Sequence, residues 1–139
     1  MKPKRKPRPL RCPTMVAMML APEVEITERM ALQSFIGAWA DERQFDVLAD
    51  VRDLLALAAG EKNDAATLHL CDLAFVALTS IKDRYLKLNK MGATDEELKA
   101  LRVLVDVSED FWRRQGGTLY HDANRALDKA RNFEREAKR

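Results

Sequence analysis

Four carboxylates in the first half of the chain have a spacing that could support chemistry. Glu42, Asp46, Asp50 and Asp53 are four, four and three residues apart, so a helix places them along one stripe. Like charges at this spacing destabilise a helix. Four kinds of group could neutralise them: a neighbouring helix, the basic N-terminal segment, a cation, or a basic surface on a partner. We predict that this acidic stripe binds a partner, in one version by mimicking nucleic acid charge; the alternative is an ordinary solvated face.

The residues that could act as nucleophiles or metal ligands do not converge. A helix lets His69 meet Asp72 but points Cys71, two residues from His69, to another face. Cys71 falls on an apolar stripe, which is typical of a buried structural thiol. The other histidine, His121, is 52 positions away from His69, and no histidine shares the acidic stripe. We therefore predict no catalytic residue, no metal site and no cofactor, and we predict that the protein is not an enzyme.

The N-terminus is basic and rich in proline. All five prolines and six cations, but no acidic residue, lie in residues 1–22, which predicts an extended arm. The cations are Lys2, Lys4, Arg5, Lys6, Arg8 and Arg11. They could bind a nucleic acid or another acidic partner by releasing counterions, without sequence preference because the arm lacks aromatic residues. The alternative is a solubilising tail, or one that docks on the remaining residues, which carry 18 basic and 22 acidic groups, a net charge of −4.

A second candidate binding site combines aromatic and basic residues. Phe111, Arg113 and Arg114 lie near the end of a predicted helix, and arginine with an aromatic residue is the composition of many interface hot spots. We place Trp112 on the apolar stripe of that helix and Phe111 to its side. The alternative is a core tryptophan followed by arginines that favour the helix dipole.

Residues 23–139 form five predicted helices in a single compact antiparallel bundle, because short connections make neighbouring helices reverse direction. Asp41 and the Thr94–Glu97 capping box mark the starts of two helices. Gly60, Gly92 and residues 116–117 mark the ends of three helices. Whether the first two helices are separate or one kinked helix stays open. The predicted core positions, in helix order, are Leu32, Phe35, Ile36 and Trp39; Phe45, Leu48, Val51 and Leu55; Leu68, Cys71, Phe75, Leu78, Ile81, Tyr85 and Leu88; Leu98, Leu101, Leu104, Val105 and Trp112; and Leu119, Ala123, Leu127, Ala130 and Phe133.

The last helix has a narrow, alanine-rich seam and a basic flank, which could pair with a second copy of the chain. Cys12 and Cys71 lie in different regions, which favours a reduced, cytoplasmic protein. No segment approaches the roughly 18 apolar residues of a membrane span, so we predict no membrane association.

A short Lys/Arg/Pro leader, Lys2 to Leu10, followed by a small helical domain resembles the accessory proteins encoded by bacteriophages and prophages. The resemblance is one of overall form, without a diagnostic motif. It implies a non-enzymatic protein that binds host or phage machinery, such as an inhibitor of a defence system. We therefore predict a helical binding protein whose partner is a protein. The alternative is a nucleic-acid-binding accessory factor that uses the arm and the basic last helix without reading sequence.

Overall fold

Five helices follow one another in the computed structural model, which describes residues 26–115 and 119–137. Within this part α1 occupies residues 26–36, followed by α2 (Glu42–Glu61), α3 (Ala65–Leu88), α4 (Asp95–Arg114) and α5 (Leu119–Ala137). These ranges contain no strand, which confirms the predicted all-α fold. The predicted arm lies outside the described residues.

Two predicted caps begin helices as expected. The amide of Arg43 donates to the Asp41 carboxylate at 2.8 Å, and the Gln44 side chain accepts from the Asp41 amide at 2.9 Å. Thr94 and Glu97 form the same reciprocal pair at the start of α4. Each cap satisfies amides that have no partner within the helix.

Helices α2 and α3 end close to the predicted positions, but Gly60 and Gly92 do not take the left-handed conformation that ends a helix. Helix α2 continues through Gly60 to Glu61, and α3 ends at Leu88, with Asn89 as its C-cap in place of Gly92. The left-handed positions are taken by Asn63 and Asn89, each with a φ of 53°. Asparagine tolerates this conformation because its short polar side chain can hydrogen-bond locally.

Helices α1 and α2 are separate. Ala38 has a φ of 60°, and the Trp39 amide donates back to the Ser34 carbonyl at 2.9 Å, which closes the turn. A Cβ at Gly37 would lie 2.8 Å from the Trp39 ring, so a larger residue at that position would displace this exposed ring. The question that the sequence left open is thereby answered in favour of two helices.

Polar contacts between helices establish their antiparallel order. At the start of α2, Glu42 accepts from the Tyr85 hydroxyl near the end of α3, at 2.7 Å. Arg84 of α3 donates to both carboxylate oxygens of Glu97 in the first turn of α4, at 3.0 Å each. The Asp50–Arg131 pair connects the middle of α2 to the C-terminal half of α5. The predicted antiparallel bundle is confirmed.

The core consists of two clusters, one towards each end of the bundle. The cluster that includes α5 contains Val51, Leu54, Leu55, Ala58, Cys71, Ala74, Leu104, Phe111, Ala123 and Leu127. The cluster that includes α1 contains Ala31, Leu32, Phe35, Leu48, Leu78, Ile81, Leu101 and Val105. Helices α2, α3 and α4 contribute to both clusters, so they form the frame on which α1 and α5 pack.

Several large apolar residues predicted in the core are exposed. They are Ile36, Trp39, Phe75, Leu88 and Phe133. The buried stripe of α3 instead contains mainly small or short side chains: Thr67, Cys71, Ala74, Ala77, Leu78 and Ile81. Small side chains allow helix axes to approach closely. As a result, α3 directs its larger apolar side chains Leu73, Phe75, Val76 and Leu86 outwards.

The packing predicts different costs for two phenylalanine truncations. Phe111 is 2% exposed within a core cluster, whereas Phe133 is 74% exposed on α5. Phe111→Ala should lower the free energy of unfolding by about 3–5 kcal/mol, because it removes buried contacts and leaves a cavity. Phe133→Ala, as the matched control, should change it by less than about 0.5 kcal/mol. Urea denaturation measures both, and equal costs would contradict this packing.

Candidate interaction surfaces

The acidic stripe is partly neutralised within the bundle. Arg131 of α5 pairs with Asp50 and lies 3.5 Å from Asp53, which also pairs with Arg52 at 3.0 Å. The hydrogen bond to Asp50 is the main reason that the pKa of Arg131 is raised. The sequence left open what neutralises the stripe. For Asp50 and Asp53, a neighbouring helix, α5, supplies the neutralising charge.

The other two carboxylates of the stripe lie nearer the start of α2. Glu42 accepts from Tyr85, and this hydrogen bond raises the pKa of the tyrosine. Asp46 is exposed. Charge mimicry would need four carboxylates presented outwards together, so the geometry weakens that version of the prediction.

The aromatic and basic site requires a correction at Phe111. This side chain is buried, so it cannot contact a partner on the folded surface. The buried stripe of α4 runs through Leu101, Leu104, Val105 and Ser108 to Phe111 and leaves Trp112 half-buried. The prediction that Trp112 lies on the buried stripe and Phe111 to its side was wrong. The two residues are adjacent, large and apolar, so the sequence pattern does not distinguish them.

Trp112 completes an aromatic contact between α4 and α5. Its ring lies edge-on to Phe111 at 5.1 Å and to Tyr120 at 4.9 Å, measured between ring centroids. Edge-to-face contacts of this kind add stability beyond the area they bury. The aromatic residues therefore join two helices.

The predicted basic residues on α4 are exposed at the end of the helix. Arg114 pairs with Asp110 at 3.1 Å, four residues earlier on the same helix, and Arg113 is exposed beside it. Their position in the last turn favours the helix dipole. A partner-binding role for Arg113 and Arg114 stays a prediction. The six cations of the arm, from Lys2 to Arg11, lie outside the described residues.

The geometry around Cys71 does not suit nucleophilic or metal chemistry. The side chain is fully buried, as predicted, and this burial raises the pKa of the thiol to about 11. Its backbone carbonyl accepts from Arg52 at 3.3 Å. Within residues 26–115 and 119–137, no group of three or more His, Cys, Asp or Glu side chains is arranged to hold a metal ion.

One feature that sequence reasoning missed is a groove between α3 and α4. It has a volume of about 540 Å³. Its apolar lining is Leu70, Leu73, Val76 and Ala77 of α3 with Ala100 and Val103 of α4. Polar residues Ser80, Thr94, Glu96, Glu97 and Lys99 complete the lining. We call this surface the α3/α4 groove.

One sequence signal could have indicated this groove. Helix α3 is apolar on nearly all sides, with a mean hydropathy of 1.3 over its most apolar 18-residue window. A helix of this kind buries more than one face, whereas only a third of that window is buried within the bundle. By length and composition α3 could also cross a membrane, so the absence of membrane association stays a prediction. Core helices of water-soluble proteins meet the same criterion.

The burial of Cys71 predicts that its thiol reacts slowly with thiol reagents in the folded protein. In a Cys12→Ser variant, which leaves Cys71 as the remaining thiol, Ellman's reagent should react at least about a hundredfold more slowly with folded than with urea-unfolded protein. The expected cause is burial combined with the raised thiol pKa. Equal rates in the folded and unfolded protein would show that Cys71 is accessible and would contradict the packing of α3.

Comparisons with protein-family models, with characterised protein sequences and with solved structures gave no significant match. The function therefore has to be argued from the surface chemistry of this chain. Among the described residues, the exposed side of α3 is the feature that bundle stability explains least.

Proposed function

We propose that this chain is a non-enzymatic binding protein and that its partner is a protein that inserts an α-helix into the α3/α4 groove. The observation that carries the proposal is the exposure of large apolar side chains along the groove. Val76 is 62% exposed although it belongs to a helix that contributes to both core clusters. Full burial of an exposed apolar side chain stabilises by about 1.5–3 kcal/mol, so covering the exposed part of Val76 would contribute a fraction of that.

The shape of the groove favours a helix as the ligand. Its walls are two antiparallel helices, and its apolar residues on α3 recur at intervals of three and four along the helix. A partner helix with apolar residues at the same spacing can pack between them, which is a common mode of peptide recognition. Glu96 and Lys99 offer one charge of each sign, which would orient such a helix.

The same chemistry favours protein over nucleic acid at this surface. Phosphate backbones are bound by clustered cations, whereas the lining contains one lysine and two glutamates. The basic flank of α5, on which the alternative function depends, is partly engaged: Arg125 pairs with Asp122 and Arg131 with Asp50. Nucleic acid binding by the arm therefore remains the second hypothesis.

A binding role is also consistent with the resemblance to bacteriophage accessory proteins. A protein that acts by occupying a partner's surface needs a stable frame and one exposed docking site. The frame formed by α2, α3 and α4 would supply both. On this proposal, inhibition of a host defence component would be achieved by occupancy alone.

A differential capture experiment tests the proposal. The tagged full-length chain, incubated with lysate of its natural host and nuclease, should retain one protein in stoichiometric amount. Val76→Glu should reduce that retention by at least about tenfold, because a charge would be buried in the interface. Phe133→Glu, which changes an exposed apolar residue on α5, is the matched control and should retain the partner fully.

Three outcomes would contradict the proposed function. The first is that the native chain retains no protein, and the second is that Val76→Glu retains as much as the native chain. The third is nuclease-sensitive material alone that is lost when residues 1–13 are deleted. That third result would support the nucleic-acid-binding alternative.

A further inference from the structure

We propose that a second copy of this chain docks on α3 along a seam separate from the α3/α4 groove. The seam consists of Leu68, Asp72, Phe75, Thr79, Lys82 and Leu86. These positions alternate by four and three residues, which is the spacing of a coiled-coil contact. Leu68 is half-buried and the other five residues are exposed. The inference does not rest on the proposed function.

The seam lies on the side of α3 that faces α2. The guanidinium carbon of Arg52, a residue of α2, lies 4.8 Å from the centre of the Phe75 ring. The groove, by contrast, is formed with α4 and contains Leu73 and Val76. A second copy on the seam and a partner helix in the groove would therefore contact different sides of α3.

The seam is complementary to itself when two copies run antiparallel. A two-fold axis level with Ala77 places Leu68 opposite Leu86 of the second copy, because both are nine residues from the axis. The same axis places Asp72 opposite Lys82, and Phe75 opposite Thr79. Each contact then occurs twice, as the symmetry of an isologous dimer requires.

Charge selects this arrangement over the parallel one. Antiparallel pairing gives two contacts between Asp72 and Lys82, which attract. Parallel pairing in register would place each Asp72 against another Asp72 and each Lys82 against another Lys82, which repel. The positions of these two charges therefore favour the antiparallel direction over parallel pairing in register, with Arg52 of the same copy 3.8 Å from each Asp72.

Arg52 holds the Phe75 ring, at the centre of the seam, in a fixed position. It stacks on Phe75, donates to the Cys71 carbonyl at 3.3 Å, pairs with Asp53 at 3.0 Å and lies 3.8 Å from the Asp72 carboxylate of the seam. A ring held in this way loses little freedom when it is buried, and arginine with an aromatic residue is typical of binding hot spots. Phe75 is 53% exposed and Leu86 is 70% exposed, so both have apolar surface to bury.

The sequence predicted that a second copy would pair through the alanine-rich stripe of α5. The structure makes α5 a poorer site for this contact than the seam on α3. Ala123 and Leu127 of the α5 stripe are buried in the cluster that α5 forms with α2, α3 and α4. These two residues therefore pack against helices of their own chain and cannot contact a second copy. The exposed remainder includes Ala130 and Phe133 at the far end of α5.

Sedimentation equilibrium of the full chain, from micromolar to millimolar concentration, tests the seam. The native chain should reach twice its single-chain mass. Lys82→Asp should raise the dimer dissociation constant at least about tenfold, because two attractive contacts become repulsive. The exchanged variant Asp72→Lys with Lys82→Asp should restore dimerisation. Val76→Glu, in the groove, should leave it unchanged.

Three results would overturn the inference. One is a single-chain mass for the native protein at every concentration. Another is a dimer that neither Lys82→Asp nor Phe75→Ala weakens, which would place the contact elsewhere, for example on α5. The third is an exchanged variant as weak as Lys82→Asp alone, which would exclude the antiparallel register. Circular dichroism should show the same helicity in all variants, since the changed side chains are exposed.

Discussion

The structure depends on the close packing of α3 between α2 and α4 through short side chains. Cys71, Ala74 and Ala77 are buried where larger residues would separate the helices. Protein interiors are close-packed, so the choice of a small-residue face for the core fixes where the larger residues lie. Leu73, Phe75 and Val76 consequently face outwards, and both candidate interaction surfaces follow from that one constraint.

The helices themselves could be predicted because they are specified locally. Asp41 and Thr94 satisfy free amides within one turn, and that signal needs no knowledge of the rest of the fold. The orientation of α3 could not be predicted in the same way. Its apolar residues surround the helix, so periodicity admits more than one buried face, and the preference for large side chains selected Phe75 incorrectly. Phe111 and Trp112 presented the same ambiguity.

The charged sites were unpredictable for a different reason. The sequence placed Asp50 and Asp53 on one stripe but could not show that Arg131, roughly 80 positions later, would pair with them. Long-range ion pairs depend on how helices pack. A pattern that indicated an external partner was thus partly satisfied within the chain. The apolar side of α3, which local charge did not mark, is instead exposed in the part of the chain that the structure describes.

The most direct test of this account is hydroxyl-radical footprinting of the full chain at a dilution where it is monomeric. The account predicts that Phe75 and Leu86 are oxidised at rates near that of Phe133 once each rate is divided by the intrinsic reactivity of its residue type, while Leu78 and Ile81 on the same helix are protected. Slow oxidation of Phe75, similar to that of Ile81, would show that α3 packs with its larger side chains inwards. That result would contradict both the α3/α4 groove and the α3 seam as interaction surfaces.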